Sequence, residues 1–355
     1  MKAAAVAAAA TAFAWLLLRA ESQTSIALLL LLALAAGVSA ARARFRFSGP
    51  GALALAAAAV LAILLREDDF SLLLITRILI VIVACLGLNV QFGYAGVLNF
   101  AGASFFGVGA YTAAVLAPRL PHLLVLLLGG AAAALAGMIL ILPVLRTRGH
   151  YAALVTIAFA LLFRTFLEVN DALGGPQGLK LPELVIGPFH FNDPVFDASF
   201  YLRYVALGLA LVALAFALVQ RLQRSWIGVW LDAVRLDEIA AAAFGLSIAR
   251  WKIAAFTIGN FITGTAGALS AFMIGFIAPN NYAFSESLLF VSIVLLGGIG
   301  NPWGLALASA IVIVLPEKLQ AIQEYRFLLF SAMVVLILLF RPGGLLPRQL
   351  RRLKT

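Results

Sequence analysis

The sequence predicts an all-α fold: a polytopic transmembrane helical bundle of about ten to twelve membrane segments, with both termini cytoplasmic. Hydrophobic residues make up 64% of the 355 and charged residues only 11%, whereas a soluble domain carries roughly a quarter charged residues. The apolar residues fall in uncharged blocks, such as Leu123 to Leu145, close to the ~20 residues a helix needs to cross the hydrocarbon core. The basic residues border these blocks on alternate sides, which is how topology is written in a membrane protein.

Taken in order, the apolar runs are expected at 3–18, 25–41, 51–65, 71–90, 92–117, 122–145, 151–169, 200–219, 252–276, 284–299, 303–319 and 326–340. Met1 to Ala20 shares features with a signal peptide, but Trp15 to Leu18 runs into Arg19 without a small-x-small cleavage site, so it reads as a first span. Placing the last basic cluster, Arg341, Arg348, Arg351, Arg352 and Lys354, inside and alternating backwards puts Gln220 to Lys252 inside. Arg146, Arg148, Arg42, Arg44, Arg46 and Lys2 follow. Sixteen of the 25 Lys and Arg residues then lie on the inner side, as the positive-inside rule requires. The organisation is therefore N-terminal helices over 1–70, a core over 71–219 with an outer loop at 170–199, a cytoplasmic loop at 220–252, C-terminal helices over 253–341, and a basic tail at 342–355.

Two ionisable residues fall inside spans. Arg164 and Glu168 are four apart and are expected to pair on one helix face. Arg77 lies near the outer part of its span, with Glu67, Asp68 and Asp69 close in sequence, and is expected to snorkel outward; the reading for these charges is anchoring at the interface, against a role in the pathway.

Several chemistries are excluded or unsupported by the residues. Cys85 is the single cysteine and the three histidines, His122, His150 and His190, lack ligand spacing, so no metal site is expected. No GxxxxGK[ST] run is present, so ATP cannot be held in the P-loop manner by this chain. No nucleophile and base stand at a productive spacing, and no catalytic residue is assigned. The +10 charge is spread along span borders and forms no nucleic-acid module; lipid is its natural counterpart.

Two segments interrupt the apolar pattern. Gly87 to Thr112 holds Gly87, Gly93, Gly96, Gly102, Gly107 and Gly109, with Asn89, Gln91, Tyr94, Asn99, Ser104 and Tyr111 interleaved. Glycine lets helices approach closely and lets a helix unwind at membrane depth where the freed backbone is protected. Asn89, Gln91, Tyr94, Gly96, Asn99 and Ser104 are the candidates for lining or shaping a translocation route, against a reading as packing with polar glue. The second segment, Arg221 to Lys252, is the longest inner connection. Its core, Leu231 to Phe244, is expected to be helical and to end at Gly245. It suits either a partner's groove or, with Trp226 and Trp230, the membrane surface. The outer loop repeats a motif weakly: LGGPQGL at Leu173 to Leu179 echoes LGGIGNPWGL at Leu296 to Leu305.

Five fragments, in order, carry a resemblance: GLNVQFGYAGVLNFAGASFFGVGAYTAAVL; YAALVTIAFALLFRTF with GGPQGL; DAVRLDEIAAAAFGLSIARWKIAAF; LLGGIGNPWGLALASAIVIVLPEKL; and LLFRPGGLLP. Together they span about Leu72 to Leu346 and resemble the permease subunit of bacterial ABC importers for branched-chain amino acids, the LivM-like branch. The resemblance implies a bacterial inner-membrane protein working with a second permease subunit, two cytoplasmic ATPase subunits that bind the ATP, and a soluble solute-binding protein. It implies no cofactor in this chain. Asp237, Glu238, Ala241 and Gly245 match the region where such a permease docks on its ATPase. The chain departs from the family at Ala101–Gly102, where a histidine is common, and at Asp232, where a basic residue is common. The resemblance also implies fewer full crossings than twelve, with half-helices expected within Gly87 to Ala117 or Phe284 to Leu319. The competing class is a stand-alone ion-coupled transporter or channel, which calls for paired acidic or histidine residues at mid-membrane.

Overall fold

A computed structural model describes residues 68–147, 151–186, 189–191 and 200–318, with scattered positions between 325 and 348. The spans expected at 3–18, 25–41, 51–65 and 326–340, both termini and the basic tail beyond Arg348 lie outside these residues.

The described chain is a helical bundle: α1 (Asp69–Tyr94), α2 (Gly102–Leu116), α3 (His122–Leu145), α4 (Tyr151–Val169), α5 (Phe200–Arg224), α6 (Trp226–Leu236), α7 (Glu238–Ala243), α8 (Ile248–Ile274), α9 (Phe284–Gly297) and α10 (Pro302–Lys318). Among the described residues, five helices are long and apolar enough to cross a membrane: α1, α3, α4, α5 and α8. The chain is thus a multi-pass membrane protein.

α1 and α8 form the centre. Asp68 starts α1 by accepting hydrogen bonds from the Ser71 amide and hydroxyl, satisfying one of the free N–H groups of the first turn. At 26 residues the helix is about 39 Å long, enough for a full crossing. Its contact with α8 is set by glycine on both helices. A methyl on Gly87 would overlap the Gly259 carbonyl, and one on Gly259 would meet the Gly87 carbonyl, so the backbones touch as in small-residue membrane packing. α4 and α5 lie at the periphery, presenting Leu161, Leu162, Phe166 and Leu214 outward, as lipid-facing helices do.

α2 is different. It has 15 residues, about 22 Å, too short for a ~30 Å core. The sequence places a full span at 92–117; instead α1 continues to Tyr94 and residues 95–101 run back along it before α2 begins. Gly102 starts α2 beside Leu88, well inside the end of α1. The expectation of a half-helix in this region holds, and its turn needs glycine: Gly96 has φ +66°, a conformation other residues adopt at a cost.

Connections at the two ends differ in character. At the end opposite α6 and α7, Leu179–Lys180 pairs antiparallel with Phe276–Ile277, and Val185–Ile186 pairs with Phe189–His190, so the expected irregular loop is pinned by short strand pairs. Arg164 pairs with Glu168 at 2.8 Å as expected, and also donates to Asn280. Arg77 stands half-exposed on α1. It pairs with Glu317 of α10 at 2.9 Å, because α10 brings a carboxylate to the face of α1 that carries Arg77. The two glycine motifs turn the chain at opposite ends by different conformations: Gly174, Gly175 and Gly178 have positive φ in one and Gly298 and Gly300 in the other, where Gly297 still belongs to α9.

Candidate translocation and coupling site

The broken segment is held by side chains. Running irregular backbone through a membrane protein is tolerated only where its polar groups find partners, and here each partner comes from a different element. The Phe100 amide donates to Thr156 Oγ1 of α4, the Ala101 amide to Asn99 Oδ1, and the Ala103 amide to Ser287 Oγ of α9. Asn99 Nδ2 in turn donates to Gln91 Oε1 at 2.7 Å, and Gln91 Nε2 donates to Asn260 Oδ1 of α8 at 2.8 Å. A chain of three amides thus staples the returning segment to α1 and α8.

Of the six pathway candidates, Asn89, Gln91, Asn99, Ser104 and Tyr94 are fully buried within this chain; Gly96 is exposed. They fix the shape of the break. Asn89 Nδ2, Asn260 Nδ2 and Ser104 Oγ are buried without a hydrogen-bond partner among the described residues.

The long inner loop is two helices, not the single helix expected over Leu231 to Phe244. Asp237 interrupts it with φ −156° because its carboxylate does another job: Oδ1 accepts from the Ile239 and Ala240 amides at 2.9 and 3.0 Å, capping α7. Glu238 reaches Lys252 of α8 at 2.6 Å. Ala241 packs inward at 3% exposed, whereas Ile239 and Phe244 stand 84% and 88% exposed. Gly245 closes the helix at φ +81° with open space where a Cβ would sit. α6 carries an aromatic cluster in which Trp226 and Trp230 rings lie 4.3 Å apart, with Trp251 of α8 4.7 Å from Trp230. Both ideas about the loop therefore find residues: α6 has the exposed tryptophans of a membrane-interface helix, and α7 has an apolar tip.

These two regions meet. Gly93, in the last turn of α1, has a carbonyl with no intrahelical partner; it accepts from Arg235 Nη1 of α6 at 2.6 Å and from Arg348 Nη1 at 3.0 Å. Two cations at a helix C-terminus also complement its dipole. Burial, with the charge of Arg348 next, lowers the Arg235 pKa from its usual value. Arg348 makes a two-point ion pair with Asp232, both contacts 2.7 Å, and stacks 4.3 Å over the Tyr94 ring. The α9–α10 turn joins in: Asn89 Oδ1 accepts from the Gly300 amide, and Tyr94 and Gln223 donate to the Gly300 carbonyl. One point thus ties α1, the α5–α6 junction, α6, the α9–α10 turn and the segment carrying Arg348.

Sequence reading named Tyr94, Asn89 and the α7 motif as candidates; Arg235, Arg348, Ile239 and Phe244 were not among them. Asp232, read in the sequence only as a departure from the resembling pattern, has its partner Arg348 116 residues away. Among the described residues, no three His, Cys, Asp or Glu side chains converge on a metal position.

Residues 70–339 match the family described as the permease component of the branched-chain amino acid transport system. LivM, the high-affinity branched-chain amino acid transport permease of Escherichia coli K12, is 36% identical over 299 residues, covering 79% of this chain and 70% of that protein. A probable LivM of Methanocaldococcus jannaschii is 26% identical, covering 75% of this chain and 90% of its own. LivH of E. coli K12 is 23% identical over 284 residues. No solved structure matches. With three quarters of its length inside that match, and with the half-helix and the capped loop helix where the resembling fragments lie, this chain belongs to the branched-chain amino acid transport permease family.

Proposed function

We propose that this chain is one of two permease subunits of an ABC importer in a bacterial inner membrane, and that it moves branched-chain amino acids inward without altering them. The α6–α7 end faces the cytoplasm, where the inner-side arginines gather, and both termini lie on that side. α7 docks on an ATPase subunit that binds the ATP; a LivH-like chain completes the pathway, and a soluble binding protein delivers the solute from outside. Asp237, Glu238, Ala241 and Gly245 build the docking helix: the first caps it, the second ties it to α8, the third seats it, and the fourth ends it. Asn89, Gln91, Tyr94, Gly96, Asn99 and Ser104 shape the route by holding the break after α1.

The observation that carries this reading is the double capture of the Gly93 carbonyl by Arg235 and Arg348. α7 follows α6 with only Asp237 between them. A push on α7 is therefore delivered through Arg235 to the end of α1, where the helix breaks, with no need for a distant relay. The test is reconstitution with the ATPase subunits, the second permease and the binding protein. Leucine uptake should require ATP, and Arg235→Ala should leave ATP hydrolysis running while uptake falls at least tenfold. Uptake by this chain alone under an ion gradient would replace the reading with a stand-alone transporter.

A further inference from the structure

A cavity of about 540 Å³ opens among α1, α2, α8, α9 and α10 at the end of the bundle opposite α6 and α7. Its size falls within the ~300–1,000 Å³ of small-molecule sites. Its walls are aliphatic and aromatic: Val81 of α1, Phe106 of α2, Leu289 and Phe290 of α9, and Ile313 of α10. Phe106 and Phe290 meet edge to face at 5.6 Å, and Phe106 also approaches Tyr282. The polar groups are gathered on one side and carry both signs, with Ser270 and Asn280 among the neutral ones. Arg77, Glu317, Glu286 and Asn281 line the same space, and Arg77 and Glu317 face each other at 2.9 Å.

We infer that this cavity is a transit site for a zwitterionic α-amino acid with an aliphatic side chain. The proposal rests on the importer reading above. The Arg77–Glu317 pair supplies what a zwitterion needs, a cation and an anion spaced by one ion-pair distance. A solute carboxylate takes the guanidinium, its ammonium takes the Glu317 carboxylate, and the count of charges is unchanged when it leaves. The pair is open to this exchange because it is partly solvated, at 48% and 27% side-chain exposure, and such pairs hold together weakly. The aliphatic side chain then lies against Val81, Leu289 and Ile313. A charged side chain laid against these three residues would be desolvated on an apolar face, which is costly, so this wall favours hydrocarbon.

The test uses the whole complex in proteoliposomes, with Cys85→Ala combined with Ile313→Cys, or with Leu289→Cys on another wall as an independent position. The rate of modification by a small methanethiosulfonate reagent is measured without ATP at rising leucine concentration. Leucine should slow labelling at least fivefold at both positions, glutamate and lysine should not, and Arg77→Gln should abolish the protection. Equal protection by hexanoate, which has no ammonium group, overturns the zwitterion assignment. Absence of leucine protection in proteoliposomes that still accumulate leucine places the cavity off the route and overturns the proposal alone. Failure of the assembled complex to accumulate leucine overturns the importer reading and the proposal with it.

Discussion

Arg348 and Asp232 face each other through two parallel N–H···O contacts of 2.7 Å, although 116 residues separate them. Their side chains are 14% and 25% exposed. The planar guanidinium fits the carboxylate in this two-point manner and lysine does not. Asp232→Asn should therefore lower thermal stability by about 1.5–3 kcal/mol, the usual size of a hydrogen bond to a charged group. Arg348→Lys should recover little of the loss caused by Arg348→Ala. Melting of the purified complex reads the first effect, and uptake per ATP hydrolysed reads any loss of transmission.

Asp237 offers a cleaner probe of α7, since its carboxylate caps two amides of a helix only six residues long. Asp237→Ala should cost about 1 kcal/mol locally, as lost caps do. Asp237→Asn or Asp237→Ser, which keep an acceptor at that position, should restore most of it. Co-purification of the ATPase subunit with each variant is the measurement, and the order Asp, Asn and Ser above Ala is the expected outcome.

Ile239 on α7 and Phe244 at its C-cap are exposed and contribute little to this chain's own packing. Phe244→Glu should leave the melting temperature of the isolated chain within about 0.5 kcal/mol of equivalent stability change, the range of most surface substitutions. The same variant should break ATPase association by placing a charge in a dry interface. Size-exclusion profiles with and without the ATPase distinguish the two effects.

How far these features are legible in sequence follows from the range of the interactions behind them. Apolar periodicity and length located α1, α3, α4, α5 and α8, because a membrane span is a local property of some twenty residues. The break at Gly96 was visible as glycine density, yet its position was set four residues too early, since the side chains that hold it, the hydroxyls of Thr156 and Ser287 and the amide of Asn260, come from other helices. The split of the inner loop at Asp237 was hidden by the alanine-rich run around it; a capping carboxylate outweighed helix propensity. Arg77 was read as snorkelling outward, with no hint of its partner Glu317, and Arg348 was counted as a topology signal while its head group reaches Gly93. Long-range pairs of this kind leave no mark in local pattern.

Gly109 lies where α2 crosses α8, and a methyl there would overlap the Gly264 backbone carbonyl. Backbone cannot yield as a side chain can. Gly109→Val should thus cost at least the ~1–3 kcal/mol of an overpacked core, visible as a lower melting temperature and a reduced membrane level. Gly245→Ala provides the contrast: it meets no atoms within 4 Å and carries only the strain of φ +81°, about 1–2 kcal/mol.

The amide chain from Asn99 through Gln91 to Asn260 gives the sharpest energetic test, because its middle member serves both neighbours. Gln91→Leu keeps a similar volume but strands Asn99 Nδ2 and Asn260 Oδ1, and each buried polar group left without a partner costs about 1–3 kcal/mol. Two such groups make this single substitution worse than a lost hydrogen bond. Adding Asn260→Leu removes one of the stranded atoms, together with an Asn260 Nδ2 that already lacks a partner. The double variant should therefore melt higher than Gln91→Leu alone, a non-additivity that neighbouring groups in one network are expected to show. If the amides only filled space, the two substitutions would add, and the double variant would melt lowest of the set.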